Sequence, residues 1–133
     1  MSQDTVANFL FSIKNAYGAG RRQVRTPYSS FNLKLAKILV KEGYLTKVKK
    51  VLVRKNIAEL EVELNDLRGK KGKIINNIKR LSKLGICRYV SVEELSWHNR
   101  RLGIVIISTP KGLMTAKEAV KKNLGGELIC RIW

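Results

Sequence analysis

The amino-acid sequence predicts an α+β protein made of two small domains. In the first half, apolar residues at helical spacing alternate with short β-branched segments, in the order α-β-α-β-β. In the second half, short strand-like runs separated by turn residues surround a short helix. The change falls in a basic, glycine-containing stretch, so we place an N-terminal α/β domain at residues 1–68 and a C-terminal β-rich domain at residues 69–133.

Two helices are predicted in the first domain. The first has apolar residues at helical spacing and ends at Gly18 or Gly20. Its inward residues are Val6, Phe9, Leu10, Ile13 and Tyr17. The second begins after Pro27, with Ser29 or Ser30 as its N-cap, and Gly43 fits the position just past its end. Its inward residues are Phe31, Leu35, Ile38 and Leu39.

Three strands complete the predicted first domain. They cover residues 23–26, 44–53 and 57–64, and a hairpin at residues 54–56 joins the last two. In the third strand, apolar residues alternate with Glu59, Glu61 and Glu63. This pattern favours a half-buried strand with a solvated acidic face over a pair of catalytic carboxylates, which would need a cleft and charged neighbours.

The second domain is predicted to begin through Ile74, Ile75, Ile78 and Leu81. Residues 91–94 have the spacing of a capping box, which indicates a short helical turn, and residues 97–101 are interpreted as a surface loop. The β-branched run at residues 104–107 predicts a buried strand, and residues 127–133 predict a terminal strand after two glycines.

The segment Ser108–Thr115 reads STPKGLMT and is predicted to form a nucleic-acid-binding loop. Ser108 and Thr109 offer hydroxyl groups, Lys111 adds a cation, and Gly112 permits a left-handed backbone conformation. Thr115 has the capping-box spacing of an N-cap, so a helix is expected from residue 116 to about residue 122. Taken alone, the octapeptide also fits an ordinary connection between a strand and a helix.

The charge of the chain indicates a polyanionic partner. Lysine and arginine total 27 against 10 acidic residues, giving a net charge of +17. Nucleic acid and an anionic membrane surface both satisfy this charge, but no apolar run approaches the roughly 18 residues of a spanning helix. The N-terminal residues lack the basic region and cleavage site of a secretory signal, so the chain is expected to stay inside a cell or organelle.

Metal, cofactor and nucleotide sites are not predicted. Cys87 and Cys130 are far apart and His98 is the sole histidine, so packing thiols are favoured over metal ligands. Residues 69–73 read GKKGK, which lacks the Walker spacing and its Lys-Ser/Thr ending. We therefore expect no cofactor and no small-molecule substrate.

A basic segment without acidic residues separates Asp66 from Glu93. Its cations are Arg68, Lys70, Lys71, Lys73, Lys79, Arg80, Lys83 and Arg88. Tyr89 follows this segment and could stack on a sugar or a base, although an aromatic residue in a strand more often packs in the core.

These motifs together resemble the small-subunit ribosomal protein eight family. The match covers the octapeptide, then Glu118-Ala119 and residues 125–130, which read GGELIC. It also covers residues 79–83 with Gly85 and Tyr89, the Pro27-x-Ser29 entry to the second helix with Lys34, and the first helix. The family commonly has Ser at Pro110, Pro at Leu84, Arg at Cys87 and an aliphatic residue at Arg88.

The resemblance implies a non-enzymatic protein that binds the central domain of small-subunit ribosomal RNA and helps assemble it. Neighbouring small-subunit proteins are further expected partners, without a membrane. The implied location is the ribosome of a bacterial cytoplasm, or of a mitochondrial matrix or plastid stroma. The RNA-binding residues are then expected to be Ser29, Ser30, Lys34, Lys79, Arg80, Lys83, Tyr89, Ser108, Thr109, Lys111, Gly112, Thr115 and Glu127. Glu127 could accept from a base or ribose, or could fix the loop by hydrogen bonds.

Two other classes of protein share part of this pattern. A basic DNA- or mRNA-binding protein outside the ribosome would carry the same charge, but it would bind duplex DNA about as well as structured RNA. An enzyme acting on RNA would need an acid/base or metal constellation, and one histidine with scattered acids does not supply one.

Overall fold

The computed structural model describes residues 3–66, 72–82, 88–98 and 103–133. It contains helices and two antiparallel sheets, which confirms the predicted α+β class. The chain forms two compact units, and the division falls between Ile75 and Asn76. The boundary placed from the sequence, at residues 68 and 69, lies outside the described residues.

The first unit follows the predicted order α-β-α-β-β. Its elements are α1 (Gln3–Gly18), β1 (Gln23–Pro27), α2 (Ser30–Lys41), β2 (Leu45–Arg54) and β3 (Ile57–Leu64). The sheet has the strand order β1-β3-β2 with antiparallel pairing. Its core is formed by the fully buried side chains of Phe9, Leu10, Ile13, Leu35, Leu39, Leu60 and Val62.

The ends of α2 match the local signals in the sequence. Ser29 is the N-cap, and its hydroxyl accepts a hydrogen bond from Asn32 N at 3.0 Å. At the other end Gly43 has φ = +87°, a left-handed conformation that glycine adopts without steric strain. Both ends of α2 are therefore determined by residues next to them in the sequence.

The acidic face of β3 is less solvated than the sequence alone indicates. Arg25 of β1 lies 3.6 Å from Glu59, and Lys49 of β2 lies 3.1 Å from Glu61. Since β3 is the central strand, basic side chains from both neighbours reach its carboxylates. Leu60, Val62 and Leu64 are buried on the opposite face, which confirms the predicted alternation.

The second unit begins at Asn76 and is built on a larger sheet. Its elements are β4 (Ile78–Arg80), β5 (Tyr89–Val90), α3 (Val92–His98), β6 (Ile104–Thr109), β7 (Gly112–Thr115), α4 (Ala116–Lys121) and β8 (Gly126–Ile132). The strand order is β4-β8-β6-β7, and β5 also pairs with β8. The core on one sheet face contains Leu81, Leu95, Val105, Ile107, Met114, Ala116, Ala119 and Leu128.

The predicted loop at residues 97–101 is wrong for its first two residues. Trp97 and His98 belong to α3, and residues 99–101 lie outside the described residues. The helix is capped by Ser91, whose hydroxyl accepts from Glu94 N at 3.4 Å, and is anchored by buried Leu95. No glycine or proline follows before residue 103, so the sequence supplies no breaker at residue 97.

Among the described residues, no helix combines the length and the apolar character needed to cross a membrane.

Candidate nucleic-acid interface

The octapeptide predicted as a loop is mostly a β-hairpin. β6 continues to Thr109, a two-residue turn follows at Pro110 and Lys111, and β7 begins at Gly112. The loop prediction was wrong because residues 112–115 pair with residues 106–109 of β6, although the turn between them lacks the Asn-Gly or Asp-Gly signal of a tight hairpin. The helix prediction is confirmed: α4 follows directly, and the hydroxyl of Thr115 accepts from Glu118 N at 3.3 Å.

The side chain of Thr109 closes the turn of this hairpin. The hydroxyl of Thr109 donates to Gly112 O at 2.8 Å and accepts from Lys111 N at 3.2 Å, and Thr109 is buried. Gly112 has φ = +119°, as expected from the sequence. Pro110 takes the first central position of the turn, where proline is favoured and its missing N–H is no loss.

Strand register brings four side chains into one line across the sheet. Tyr89 pairs with Glu127, Glu127 pairs with Ser108, and Ser108 pairs with Leu113. Directly paired residues project from the same face of a sheet, so these four, here called the transverse row, share a face. The neighbouring positions Val90, Leu128, Ile107 and Met114 supply the core on the other face.

Tyr89 is the most accessible member of the transverse row, with 72% of its surface exposed. The interpretation of Tyr89 as a core residue is therefore wrong. Its strand has only two residues, and Val90 occupies the side that packs against the core. Strand alternation then directs Tyr89 to the opposite side, where its ring is open to solvent.

The polar groups of the transverse row have unused hydrogen-bonding capacity. Within the described residues, the hydroxyl groups of Ser108 and Tyr89 and the carboxylate of Glu127 form no hydrogen bond, and Glu127 forms no ion pair. Ser108 and Glu127 are both half-buried, so their orientation is restricted by their neighbours. A half-buried polar group without a protein partner is able to pair with a ligand or with water.

Two glycines allow the strands of the row to approach closely. A Cβ atom on Gly126 would lie 2.1 Å from the carbonyl oxygen of Ser108, and one on Gly125 would lie 2.5 Å from that of Val90. Any side chain at either position would separate β8 from its neighbour. The Gly-Gly pair therefore sets the spacing between Glu127 and the residues that flank it.

The basic residues expected at the site are distributed over both sheet faces. Arg80 pairs with Cys130, which pairs with Ile106, but both of these residues are fully buried and the β6–β8 register shifts between Ile106 and Ile107. Arg80 is therefore separated from the transverse row by buried residues. Lys79 falls on the face opposite Arg80 by strand alternation. Lys111 is exposed at the turn, whereas Lys83 lies outside the described residues.

Arg80 carries a buried nitrogen atom without a partner. Its Nη2 is enclosed and makes no hydrogen bond in the described part of the chain. Cys130, its strand partner, is fully buried, and this burial raises the pKa of the thiol to about 12. The thiol is therefore protonated at neutral pH, as expected for a packing residue. Among the described residues, no group of three or more His, Cys, Asp or Glu could hold a metal ion.

The remaining expected site residues belong to the first unit. Ser29 and Ser30 lie at the start of α2, and Lys34 is exposed one turn later. Ser29 uses its hydroxyl as the helix cap. Nearby in sequence, the Tyr28 ring lies 4.2 Å from Lys50 Nζ, a cation–π contact that the sequence did not indicate. Leu113, in the second unit, was not among the expected site residues. A strand predicted at residues 112–115 would have placed it beside Ser108.

Comparison with known proteins then identifies the family. The model of the family described as Ribosomal protein S8 matches residues 4–133, which is nearly the whole chain. The chain belongs to the ribosomal protein S8 family. Membership confirms the resemblance found in the sequence and identifies a structural ribosomal protein rather than an enzyme.

Individual relatives of this S8-family chain match it over almost their full length. Small ribosomal subunit protein uS8 of Methylacidiphilum infernorum (isolate V4) is 41% identical over 133 residues, covering 100% of both chains. Small ribosomal subunit protein uS8c of Morus indica is 38% identical over 136 residues, again covering 100% of both. Small ribosomal subunit protein uS8 of Stenotrophomonas maltophilia (strain R551-3) is 38% identical over 127 residues, covering 96% of this chain and 95% of the relative.

Proposed function

We propose that this protein is a constituent of the small ribosomal subunit that binds directly to the central domain of its ribosomal RNA and helps that domain to assemble. The observation that carries the proposal is the transverse row: Tyr89, Glu127 and Ser108 share one sheet face with unused polar groups. The net charge of +17 supplies the attraction to a polyanion.

The chemistry of the row suits the minor groove of an RNA helix. A-form RNA has a narrow major groove that side chains cannot read, and a shallow minor groove lined by 2′-hydroxyl groups and base edges. The Ser108 hydroxyl can donate to or accept from a 2′-hydroxyl, and the exposed Tyr89 ring can pack on a ribose or an unstacked base. Lys111, at the turn, can neutralise a phosphate.

Glu127 distinguishes this surface from a plain phosphate-binding patch. A carboxylate is repelled by phosphate groups, so its place in the row favours contact with hydrogen-bond donors. The guanine amino group is the base donor exposed in the minor groove, and 2′-hydroxyl groups are the ribose donors. Glu127 would therefore contribute selectivity for base or ribose, while the surrounding lysines and arginines contribute affinity.

Thr109, Gly112 and Thr115 would act mainly by shaping the hairpin that presents Ser108 and Lys111. The Thr109 hydroxyl is engaged at both ends of the turn, and the Thr115 hydroxyl caps α4. Gly112 supplies the left-handed backbone conformation that follows the turn. We infer that these residues position the contacting groups, and that Arg80 adds a cation.

A second RNA surface is proposed in the first unit, at the start of α2. Ser30 and Lys34 are exposed there. Ser29 caps the N-terminus of α2, where the first backbone N–H groups point away from the helix. Lys79 and Lys83 would add sequence-independent attraction to phosphates. Contacts of this kind strengthen binding to many RNAs and contribute little to selectivity.

The proposal is tested in cells that express the tagged chain. After sucrose-gradient fractionation in moderate salt, the chain is expected to sediment with the small ribosomal subunit. Ultraviolet crosslinking should then join Tyr89 to nucleotides of the central domain, located by reverse transcription. Sedimentation apart from the subunit, with crosslinks to messenger RNA or to DNA, would instead support a basic nucleic-acid-binding protein outside the ribosome.

A further inference from the structure

We propose that the tip of the β2–β3 hairpin docks against a neighbouring protein of the small subunit, at an apolar depression bordered by carboxylates. The tip is defined as residues 52–57. This inference rests on the proposed function, because it takes the neighbour to be another component of that subunit. It concerns the first unit and uses none of the residues of the transverse row.

The tip carries three exposed aliphatic side chains. Leu52 is 73% exposed, Ile57 51% and Val53 46%. The other large hydrophobic residues exposed in the described part of the chain are Phe11, Tyr89 and Trp97, which are all aromatic. Exposed aliphatic side chains of this size are therefore concentrated at one point, which is a recognised feature of protein-binding surfaces.

The hairpin presents these side chains on a well-defined support. Leu52 pairs with Ala58 and Arg54 pairs with Ile57, and the register shifts between these two pairs. The shift leaves Val53 without an opposite residue, which is the pattern of a β-bulge. In a regular strand, successive side chains alternate between the two faces of the sheet. A bulge bends the strand and redirects its side chains, so the aliphatic side chains of the tip need not follow this alternation.

The charged residues of the tip itself are positive, and the nearest carboxylate, Glu59, lies 3.6 Å from Arg25. Arg54 and Lys55 are exposed at the tip, and Lys50 lies close by on β2 over the Tyr28 ring. No acidic residue occurs between residues 50 and 58. A complementary surface would present apolar atoms for the aliphatic side chains and carboxylates for the cations at the rim.

The aliphatic side chains favour a protein over RNA as the partner. Cations alone would suit either, but leucine, valine and isoleucine have no aromatic ring to stack on bases and no group to hydrogen-bond with ribose. Burying them is favourable only against apolar atoms, which protein surfaces offer in depressions. RNA recognition sites instead rely on polar, basic and aromatic side chains.

The edge of the sheet makes docking of the tip more favourable than addition of a strand. β2 is an edge strand and carries Lys47, Lys49 and Lys50. Lysines along an edge strand oppose pairing with a strand from another molecule. The contact is therefore expected to use the side chains of the tip, with the backbone of β2 left unpaired by the partner.

Site-specific photocrosslinking tests the proposal in the assembled subunit. The full chain, with p-benzoylphenylalanine at Leu52, is expressed in cells; small subunits are isolated and irradiated, and the adducts are sequenced by mass spectrometry. We expect one predominant adduct to a small-subunit protein, at apolar residues flanked by Asp or Glu. Adducts to RNA alone, or none above those of a probe at exposed Glu63, would overturn the docking proposal.

Sedimentation separates this result from failure of the proposed function. If the unsubstituted chain does not sediment with the small subunit, the proposed function and the docking site that rests on it are both contradicted. If the chain sediments normally but the probe at Leu52 crosslinks only to RNA, docking alone is overturned and the transverse row remains the proposed RNA site.

A double substitution gives a quantitative test. Leu52→Ser with Ile57→Ser should leave affinity for isolated central-domain RNA unchanged, but should raise the rate of release from washed subunits about tenfold. Trp97→Ser removes a side chain that is 60% exposed in the other unit, and should change neither quantity. Equal release of the double variant and the unsubstituted chain, or an equal loss of affinity for the isolated RNA, would contradict docking to a protein.

Discussion

The hydroxyl of Thr109 donates a hydrogen bond to the carbonyl oxygen of Gly112 at a distance of 2.8 Å. The hydroxyl oxygen of Thr109 also accepts a hydrogen bond from Lys111 N at 3.2 Å, so this one side chain holds both ends of the β6–β7 turn. Thr109 is 8% exposed. The sequence alone favours this hydroxyl as a direct RNA contact, whereas its geometry makes it part of the folded turn.

Replacing Thr109 with valine should therefore reduce stability. Thr109→Val keeps the β-branched shape but leaves Lys111 N and Gly112 O without their partner, which should lower the free energy of unfolding by about 1 to 2 kcal/mol. Urea unfolding followed by circular dichroism measures this loss. Thr109→Ser retains the hydroxyl and should recover part of it. A valine variant that is fully stable, yet binds RNA tenfold more weakly, would show that the hydroxyl acts on RNA directly.

Tyr89 is expected to affect binding without affecting folding. Because 72% of the residue is exposed, Tyr89→Ala should leave the urea midpoint nearly unchanged. If the ring packs on RNA, its removal should weaken binding to the central-domain fragment by about 1 to 3 kcal/mol. Tyr89→Phe keeps the ring and should retain most of the affinity. Unchanged affinity of the alanine variant in a filter-binding titration would remove Tyr89 from the proposed site.

Gly126 should tolerate no side chain, because its Cα faces the backbone of β6. A Cβ atom there would lie 2.1 Å from Ser108 O, so β8 and β6 would have to separate. We expect Gly126→Ala to lower the free energy of unfolding by at least about 1 to 3 kcal/mol. Gly18→Ala is the matched control, since nothing lies within 4 Å of a Cβ at that position. Equal stability of the two variants would contradict the close approach of the strands.

Cys130 should make the fold sensitive to alkaline pH. Burial raises the pKa of its thiol from an ordinary value of 9.0 to about 12. The folded state therefore retains a proton that the unfolded chain releases, so stability is fully present below about pH 9 and is lost progressively as the pH rises towards 12. The slope contributed by this group approaches about 1.4 kcal/mol per pH unit.

The Cys130→Ala variant isolates this contribution. Although it should be less stable at neutral pH because of the cavity left behind, its stability should fall less steeply between pH 9 and pH 11. Burial also raises the pKa values of Tyr17 and Tyr44. Those residues are common to both proteins and cancel in the difference between two urea-unfolding series. Parallel pH profiles for the two proteins would contradict the raised pKa.

Features set by neighbouring residues could be predicted from the sequence. Ser29 and Thr115 cap helices through a hydrogen bond to the backbone three residues later, a relationship that a short motif contains. The alternation along β3 likewise follows from its own eight residues. Such signals need no knowledge of the partner strands, and the structure confirms each of them.

Features that depend on strand pairing could not be obtained in this way. Tyr89, Ser108 and Glu127 are distant in sequence, and only the register of β5, β6 and β8 places them in one row. The β6–β7 hairpin was missed for a different reason. Its pairing is local, between residues 106–109 and 112–115, but its Pro-Lys turn lacks the Asn-Gly or Asp-Gly signal that marks a tight hairpin.

Competition between two RNAs tests the central claim most directly. The affinity of the full chain for a central-domain fragment of small-subunit ribosomal RNA is titrated beside that for an unrelated duplex RNA of equal length, while salt is raised. Both affinities should fall linearly on logarithmic axes, but the central-domain fragment should stay at least about a hundredfold tighter. The variant with Ser108→Ala and Tyr89→Ala should lose most of that excess and keep the same salt dependence. Equal affinity of the unsubstituted chain for both RNAs at moderate salt would contradict specific recognition by the transverse row.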